Sequence, residues 1–399
     1  IPARKRRASP PRIGPVAGAG CLTAGTREGV MAEPISRRML LRGMGGVLGL
    51  RSLESPIATA SGAGSQLYAS NSVKPNILLI ILDDVGVDQI PWYQNYYRGT
   101  ANSINYTTSA CNRGVTLNTV TKLQAAGVTF VNAWASPVCA PTRACLFTGQ
   151  HCFRHGVYST SRQGQQLPSS SYTIAKLLAA AGYANGLFGK WHLGGEPRDQ
   201  CGDYSGYRPV DFGWDRFVGA MGAELNSYTK WDRVFEDTSG LKSCIPDFAG
   251  NATQQTVDDA LGWIKPQINA EKPWMATVAF NAPHPPYDQP APDDTHPRSC
   301  NNAAEQKRGN YRSLLESADK AIADLLTGIA AFPGELEKTL IILMGDNGTP
   351  DQITNHFAAA KGSVYEGGIR APLIIASGYR YLHPGDFGPL VGPGDVISP

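Results

Sequence analysis

Long apolar runs are missing from this 399-residue chain. No stretch approaches the roughly 20 consecutive apolar residues that a membrane-spanning helix needs, so no integral membrane segment is expected. Charge is sparse as well, at 17% against 42% hydrophobic residues, a balance of globular rather than disordered chains. The eight cysteines never fall at Cys-x-x-Cys spacing, which excludes the common structural zinc arrangement. The body of the chain also lacks a positive excess. Residues 1–60 hold ten Lys and Arg against three acids, so that stretch carries +7 of a chain total of +3 and the remainder is −4. A slightly acidic body offers no field for nucleic acid, and no such partner is expected. There is no internal repeat. The length suits one large core or two ordinary domains.

The basic first sixty residues read as an address. Ser36-Arg37-Arg38-Met39-Leu40-Leu41 resembles a twin-arginine export signal. A weakly apolar run from Met44 to Leu50 follows, then the small residues Ala58-Thr59-Ala60, which suit a signal peptidase. Residues 1–60 are therefore expected to be a leader, with Met31 an alternative start, and 61–73 a linker. The mature product would be periplasmic or extracellular. Beyond Cys21 in the leader and Cys139, the cysteines are Cys111, Cys145, Cys152, Cys201, Cys244 and Cys300, an even set compatible with an oxidising compartment. Their pairing is open, and a free thiol in a core helix is an equal reading for Cys145.

Asn76–Leu82 is a continuous apolar, β-rich run, as expected of a strand buried on both faces of a parallel sheet. Thr339–Leu343, Trp274–Phe280 and the shorter Ala184–Phe188 are further strands. Helical patterns cover Thr116–Ala126, stopped by Gly127, Ser171–Ala181, stopped by Gly182, and Tyr311–Ala330. Strands alternating with helices predict an α/β fold with a mostly parallel central sheet flanked by helices. Residues 195–250, rich in Gly, Asp and Tyr, are expected to form long loops. There Trp231, Tyr204, Tyr207 and Tyr228 would pack normally or stack on a ligand ring.

The ends of the strands carry the chemistry. They run into Asp83-Asp84, into Gly345-Asp346-Asn347-Gly348, into Asn281-Ala282-Pro283-His284 and into Gly189-Lys190-Trp191-His192. Ligands of open parallel sheets bind beyond the carboxyl ends of strands, so four strands would deliver these groups to one edge. Asp83, Asp84, Asp346 and Asn347 offer oxygen only, a hard-cation set suited to Ca²⁺ or Mg²⁺. Taken singly, each acidic pair would be a helix cap or turn. In Cys139-Ala140-Pro141-Thr142-Arg143, Pro141 suits a first helical turn. Cys139 would then sit at a helix N-terminus that favours an anion, with Arg143 one turn further on. Elsewhere a lone cysteine is an inert small hydrophobe.

This segment, continued through Leu146, Thr148 and Gly149, resembles the signature of the sulfatase family, whose Cys-x-Pro-x-Arg core directs conversion of cysteine to formylglycine. Gly182-Tyr183 through Leu193-Gly194 resembles the family's second signature, with Asn185 and Phe188 departing from the usual smaller or hydroxylated residues. Ala282-Pro283-His284 and Lys361 through Arg370 extend the likeness, which runs from about Asn76 to Ile375. It implies an alkaline-phosphatase-like sulfatase core over 74–399, with the family's smaller C-terminal subdomain expected to be missing after Pro399. It implies a divalent metal, Ca²⁺ or possibly Mg²⁺, on Asp83, Asp84, Asp346, Asn347 and the modified Cys139. Hydrated formylglycine would attack sulfur, with Asp346 taking its proton and Arg143 holding the modified residue. Lys190 and Lys361 would clamp the sulfate, His284 with Lys361 would serve the departing alcohol, and His192 would help expel sulfate. The implied partners are a sulfated small molecule or carbohydrate as substrate and a formylglycine-generating maturation enzyme. Two rivals remain: a phosphonate or phosphate monoester hydrolase of the same superfamily, and a truncated, non-catalytic anion-binding protein.

Overall fold

The structure is a computed structural model. It describes residues 74–96, 114–160, 166–195, 201–202, 207–294, 300–354 and 359–386, all within the unit Ser70–Pro399. The leader, the linker, Cys111 and Tyr204 lie outside the described residues.

The run that reads as a doubly buried strand is one. In β1 (Asn76–Leu82), Leu78, Ile80 and Leu82 enter one apolar cluster and Leu79 and Ile81 the other. Alternate side chains of a strand point to opposite faces, so a single apolar run serves both layers. The chain continues through α1 (Pro91–Tyr96), α2 (Asn118–Ala125), β2 (Gly127–Phe130), α3 (Cys139–Thr148), α4 (Cys152–His155), α5 (Ile174–Ala180) and β3 (Ala184–Lys190). Then come β4 (Arg216–Ala220), β5 (Lys230–Asp237), β6 (Lys242–Ala249), α6 (Ala252–Asn269), β7 (Trp274–Ala279), α7 (Ala303–Ala330), β8 (Thr339–Gly345), α8 (Glu366–Ile369), β9 (Leu373–Ser377) and α9 (Gly378–Leu382).

Nine strands form one sheet in the order β2-β9-β8-β1-β7-β3-β4-β5-β6. The five central strands, β8 to β4, are parallel, and antiparallel strands close each edge. The α/β architecture with a mostly parallel centre is the one expected. One core layer packs β1 and β7 under α6 and α7, with Leu314, Ile322 and Leu325. The other holds Phe147 of α3 with Trp191 and Trp214, whose rings lie 4.9–5.9 Å from one another. Such aromatic contacts add ~0.5–1.5 kcal/mol each beyond the area they bury. Among the described residues no helix is long and apolar enough to cross a membrane.

Two expectations need correction. Residues 195–250 are not simply loops, because β4, β5 and β6 lie there. Their signal is hidden: β5 mixes Lys230, Asp232, Arg233 and Glu236 among its apolar residues, and β6 is an edge strand with most side chains exposed. Gly127 does not cap α2. It opens β2, where an added Cβ would lie 2.2 Å from the carbonyl oxygen of Ile375, so the close pairing with β9 requires glycine. The cysteine pairing that the sequence leaves open is settled in part: Cys201 bonds Cys244 and Cys300 is disulfide-bonded, while Cys145 and Cys152 are free thiols, in line with the free-thiol reading of Cys145. Gly182, in contrast, follows α5 at φ +86°, the left-handed stop expected. α7 begins eight residues earlier than its apolar pattern, where the Asn302 side chain accepts the Glu305 N–H.

Candidate active site

Register decides where the strand-end residues meet. Leu82 of β1 pairs with Gly345 of β8, and Ala279 of β7 pairs with both Ile81 and Gly189. Asp83, Asp346, Lys190 and the Asn281–His284 turn therefore emerge at one level, from four neighbouring strands. β3 runs two residues further than its apolar pattern and carries Lys190 as its last residue. Two backbone features sharpen the turns. Asp84 takes φ +65°, a conformation that costs a non-glycine residue and is often found at functional sites. Its carbonyl accepts the Tyr311 hydroxyl at 2.8 Å. Gly348 approaches the 367–368 backbone so closely that a Cβ would lie 1.9 Å from the Gly367 oxygen. This approach holds the segment after Lys361 against the Asp346–Asn347 turn.

Cys139 is the first residue of α3 and is fully buried. Its Sγ lies 3.3 Å from Asp83 Oδ1 and 4.0 Å from Asp84 Oδ1. Lys190 Nζ contacts Asp83 Oδ2, and Lys361 Nζ contacts Asp84 Oδ1. One turn along α3, Arg143 donates to Asp346 Oδ2 from Nε at 3.0 Å and Nη2 at 2.8 Å, and to the Lys190 carbonyl from Nη1 at 2.9 Å. Its Nη2 also lies 3.5 Å from Asp83. His284 Nε2 stands 3.9 Å from Asp84 Oδ2. His192 follows β3 at φ +58° with its ring buried and its N–H bonded to the Met221 carbonyl. Every site residue expected from the sequence is thus at the same sheet edge.

Burial and charge pull these groups apart in acidity. Burial raises Asp83, yet Lys190, His284, Arg143 and Lys361 together hold it below the usual carboxylate range. Burial and the neighbouring charge of Asp83 push Asp346 up to about 6, against the pull of Arg143. Burial, then Asp346 and Asp83, pushes the Cys139 thiol well up. Burial and the positive charge of Lys190 lower His284 to about 4 and His192 well below its ordinary value. Lys361 is buried too, but Cys139, Asp84 and Asp83 raise it.

The donors fit a hard cation. Asp84 Oδ2 and Asn347 Oδ1 are buried acceptors with no hydrogen-bond partner. Asn347 spends its Nδ2 on Asp84 Oδ1 and the Gly348 carbonyl, both at 2.9 Å. An unsatisfied buried acceptor costs ~1–3 kcal/mol, so two beside three carboxylates call for positive charge. Asp83, Asp84, Cys139 and His284 place their donor atoms within 4.8 Å of one another. The soft sulfur of Cys139 is the misfit among hard oxygens. An oxygen at that position, as formylglycine would provide, suits both the cation and the set.

Sequence reading missed the second layer. The Tyr228 hydroxyl, buried rather than free to stack, donates to the carbonyls of His284 at 2.7 Å and Asn281 at 3.0 Å. Asp88, also buried, accepts Thr349 Oγ1, whose oxygen in turn receives the Gly86 N–H at 3.2 Å, tying the turn after β1 to the turn after β8. Tyr228 carried no signal beyond its size, and Asp88 none beyond its closeness to Asp84. Trp231 is buried, so it packs rather than waits for a ring.

A sulfatase family model matches residues 75–384. N-acetylgalactosamine-6-sulfatase of Canis lupus familiaris is 26% identical over 347 residues, 80% of this chain and 59% of that protein. Arylsulfatase A of Homo sapiens is 29% identical over 329 residues, 75% of this chain and 58% of that protein. The crystal structure of the sulfatase PsFucS1 from Pseudoalteromonas sp. aligns with TM-score 0.60 at 22% identity, covering 78% of this chain and 64% of the other. The fold is thus that of the alkaline-phosphatase-like sulfatases, and the chain spans about six tenths of the length of these curated relatives. By the extent of the family match, this chain belongs to the sulfatase family.

Proposed function

We propose that the protein hydrolyses sulfate esters to an alcohol and inorganic sulfate, using Cys139 matured to formylglycine. The observation that carries this reading is the setting of Cys139: buried at the N-terminus of α3, 3.3 Å from Asp83, inside a ring of Lys190, Arg143 and Lys361. A sulfate ester is a fixed anion, and preorganised positive charge aimed at its oxygens is the largest lever on its transition state. Burial keeps the Cys139 thiol protonated, so the sulfur itself is a poor nucleophile. Formylglycine supplies a hydrated aldehyde hydroxyl in its place. Asp83, Asp84, Asp346, Asn347 and residue 139 would hold a divalent cation, Ca²⁺ or Mg²⁺, which would supply positive charge to the site.

The remaining groups divide the work. Asp346, raised to about 6, accepts a proton near neutral pH, where a general base is most effective. Arg143 fixes the carboxylate that does so. Lys190 and Lys361, which now contact Asp83 and Asp84, bind the sulfate oxygens. Burial first, and then the charges of Lys190 and Lys361, lower His284; a bound anion offsets the lysine charges and so favours the protonated imidazole that serves the leaving oxygen. His192 serves the release of sulfate. The names of the relatives support a sulfated sugar or an aryl sulfate as substrate. The paired Arg37 and Arg38 support export through a twin-arginine signal, with a maturation enzyme as transient partner.

The test is mass spectrometry of the tryptic peptide Leu123–Arg143 from protein made in its native host, together with turnover of an aryl sulfate and an aryl phosphate at equal concentration. Thiol replaced by aldehyde, with sulfate turned over faster, is the expected result. Active protein with an unmodified thiol, or faster turnover of phosphate, overturns it.

A further inference from the structure

A second chemical cluster lies at the other end of α3, and the proposed reaction makes no use of it. Cys145, in the last turn of α3, and Cys152, the first residue of α4, are both free, with their sulfurs 3.6 Å apart. His155 is buried and holds its Nε2 3.4 Å from Cys145 Sγ. Ser136 Oγ stands 3.6 Å from Cys152 Sγ, and Ser136 is itself fixed by its N–H bond to Thr142 Oγ1 at 2.9 Å. Three donors of this type within 4.8 Å also suggest a soft metal.

The tautomer of His155 argues against the metal. Its Nδ1 accepts the Val157 N–H at 3.1 Å, so the neutral ring carries its proton on Nε2, the nitrogen that faces Cys145. A metal on Nε2 would force that proton to Nδ1, against an N–H that already points there. The Nε2–H is instead a donor to the Cys145 sulfur.

We propose that Cys145 and Cys152 are a reversible dithiol–disulfide pair, with Cys152 the attacking and Cys145 the resolving sulfur. Cys152 Sγ has the Ser136 hydroxyl and the Cys145 sulfur each 3.6 Å away, so the attacking sulfur already stands beside its resolving partner. Burial pushes the Cys145 thiol up to about 11, so Cys145 keeps its proton until the second step. A small disulfide such as oxidised glutathione is the oxidant. The Cys152 thiolate attacks one of its sulfurs, breaks the S–S bond and releases one thiolate, forming a mixed disulfide. The Cys145 sulfur, steadied as a thiolate by the His155 Nε2–H, then attacks Cys152 Sγ and expels the second thiolate. The two cysteine protons pass to the two released thiolates, and two electrons pass from the cysteines to the oxidant. The new bond ties the last turn of α3, across the left-handed Gly149 (φ +65°), to α4.

Trypsin isolates both cysteines in one peptide, Ala144–Arg154, which makes the pair directly readable. Full-length protein is equilibrated in buffers of graded reduced and oxidised glutathione, quenched in acid, alkylated, digested and weighed. The expected result is a joint passage from doubly alkylated peptide to an unalkylated form lighter by two hydrogens, with the oxidised protein melting a few degrees higher. A peptide that stays doubly alkylated at every ratio overturns the proposal. So does protection by added Zn²⁺ or Cu⁺ that a chelator reverses without loss of hydrogen, which would make the cluster a metal site. Cys145→Ser is expected to trap glutathione on Cys152, and Cys152→Ser to leave Cys145 free of it. The reverse pattern overturns the assigned order of attack. None of these readouts depends on the activity of the sulfate site.

Discussion

Arg143 closes two of its nitrogens on a single oxygen of Asp346, at 3.0 and 2.8 Å, and leaves the other oxygen to the Asp84 backbone N–H at 3.2 Å. The carboxylate is thereby fixed in both position and rotation. A lysine has the charge but not the planar fork. Arg143→Lys is expected to lower kcat about a hundredfold, the usual loss when one preorganised electrostatic group is removed. It should also destabilise the fold, because the lysine keeps the charge but gives up buried hydrogen bonds to Asp346 and the Lys190 carbonyl, each unsatisfied buried group costing about 1–3 kcal/mol. Kinetics and thermal unfolding of the same variant read both; a variant with wild-type kcat would remove Asp346 orientation from the mechanism.

Metal removal should act on stability as well as turnover. The unpartnered oxygens of Asp84 and Asn347 give the cation a preference for the folded chain, and a ligand at a hundred times its Kd stabilises by about 2.7 kcal/mol. Chelation is expected to lower the melting temperature and abolish activity, with Ca²⁺ restoring both. An unchanged melting curve under chelation would mean that the site holds no cation.

Unconverted Cys139 should be chemically silent. It is fully buried, and burial with the Asp346 and Asp83 charges raises its thiol well above the ordinary value. In unmodified native protein at pH 8, iodoacetamide is expected to label Cys152 and spare Cys139, and to label both once the chain is unfolded. Native labelling of Cys139 at a rate like that of Cys152 would contradict the buried setting.

Tyr228 offers a quieter test. Its hydroxyl spans the carbonyls of Asn281 and His284, so Tyr228→Phe should loosen the turn that presents the imidazole. The lost hydroxyl donor is worth about 1 kcal/mol, which corresponds to a roughly fivefold fall in kcat with KM little changed. A rise in KM alone would assign Tyr228 to substrate binding instead.

The central strands were legible because burial on both faces leaves β1 and β7 almost wholly apolar, with Thr277 the one polar residue in their interiors, until the carboxyl ends, and the polar groups there are the site. Cys139 and Arg143 were legible because a proline beside them marks a helix start. β5 and β6 were hidden because an antiparallel edge facing water mixes charge into its pattern. The supporting layer was hidden for a different reason. The Tyr311 hydroxyl reaches the Asp84 carbonyl across 227 positions of sequence, and no local pattern reports a contact between a helix residue and a distant turn.

The site is also a late event in the life of the chain. Asp84 meets Asp346 across 262 positions, and Cys139 meets Asp83 across 56, so no early fragment contains a working constellation. Pairings this distant must close long loops before any contact rewards them, which slows folding. Recovery of catalytic activity after denaturation should therefore lag behind the return of helical circular dichroism, with the docking of β8 on β1 as the step that separates the two signals.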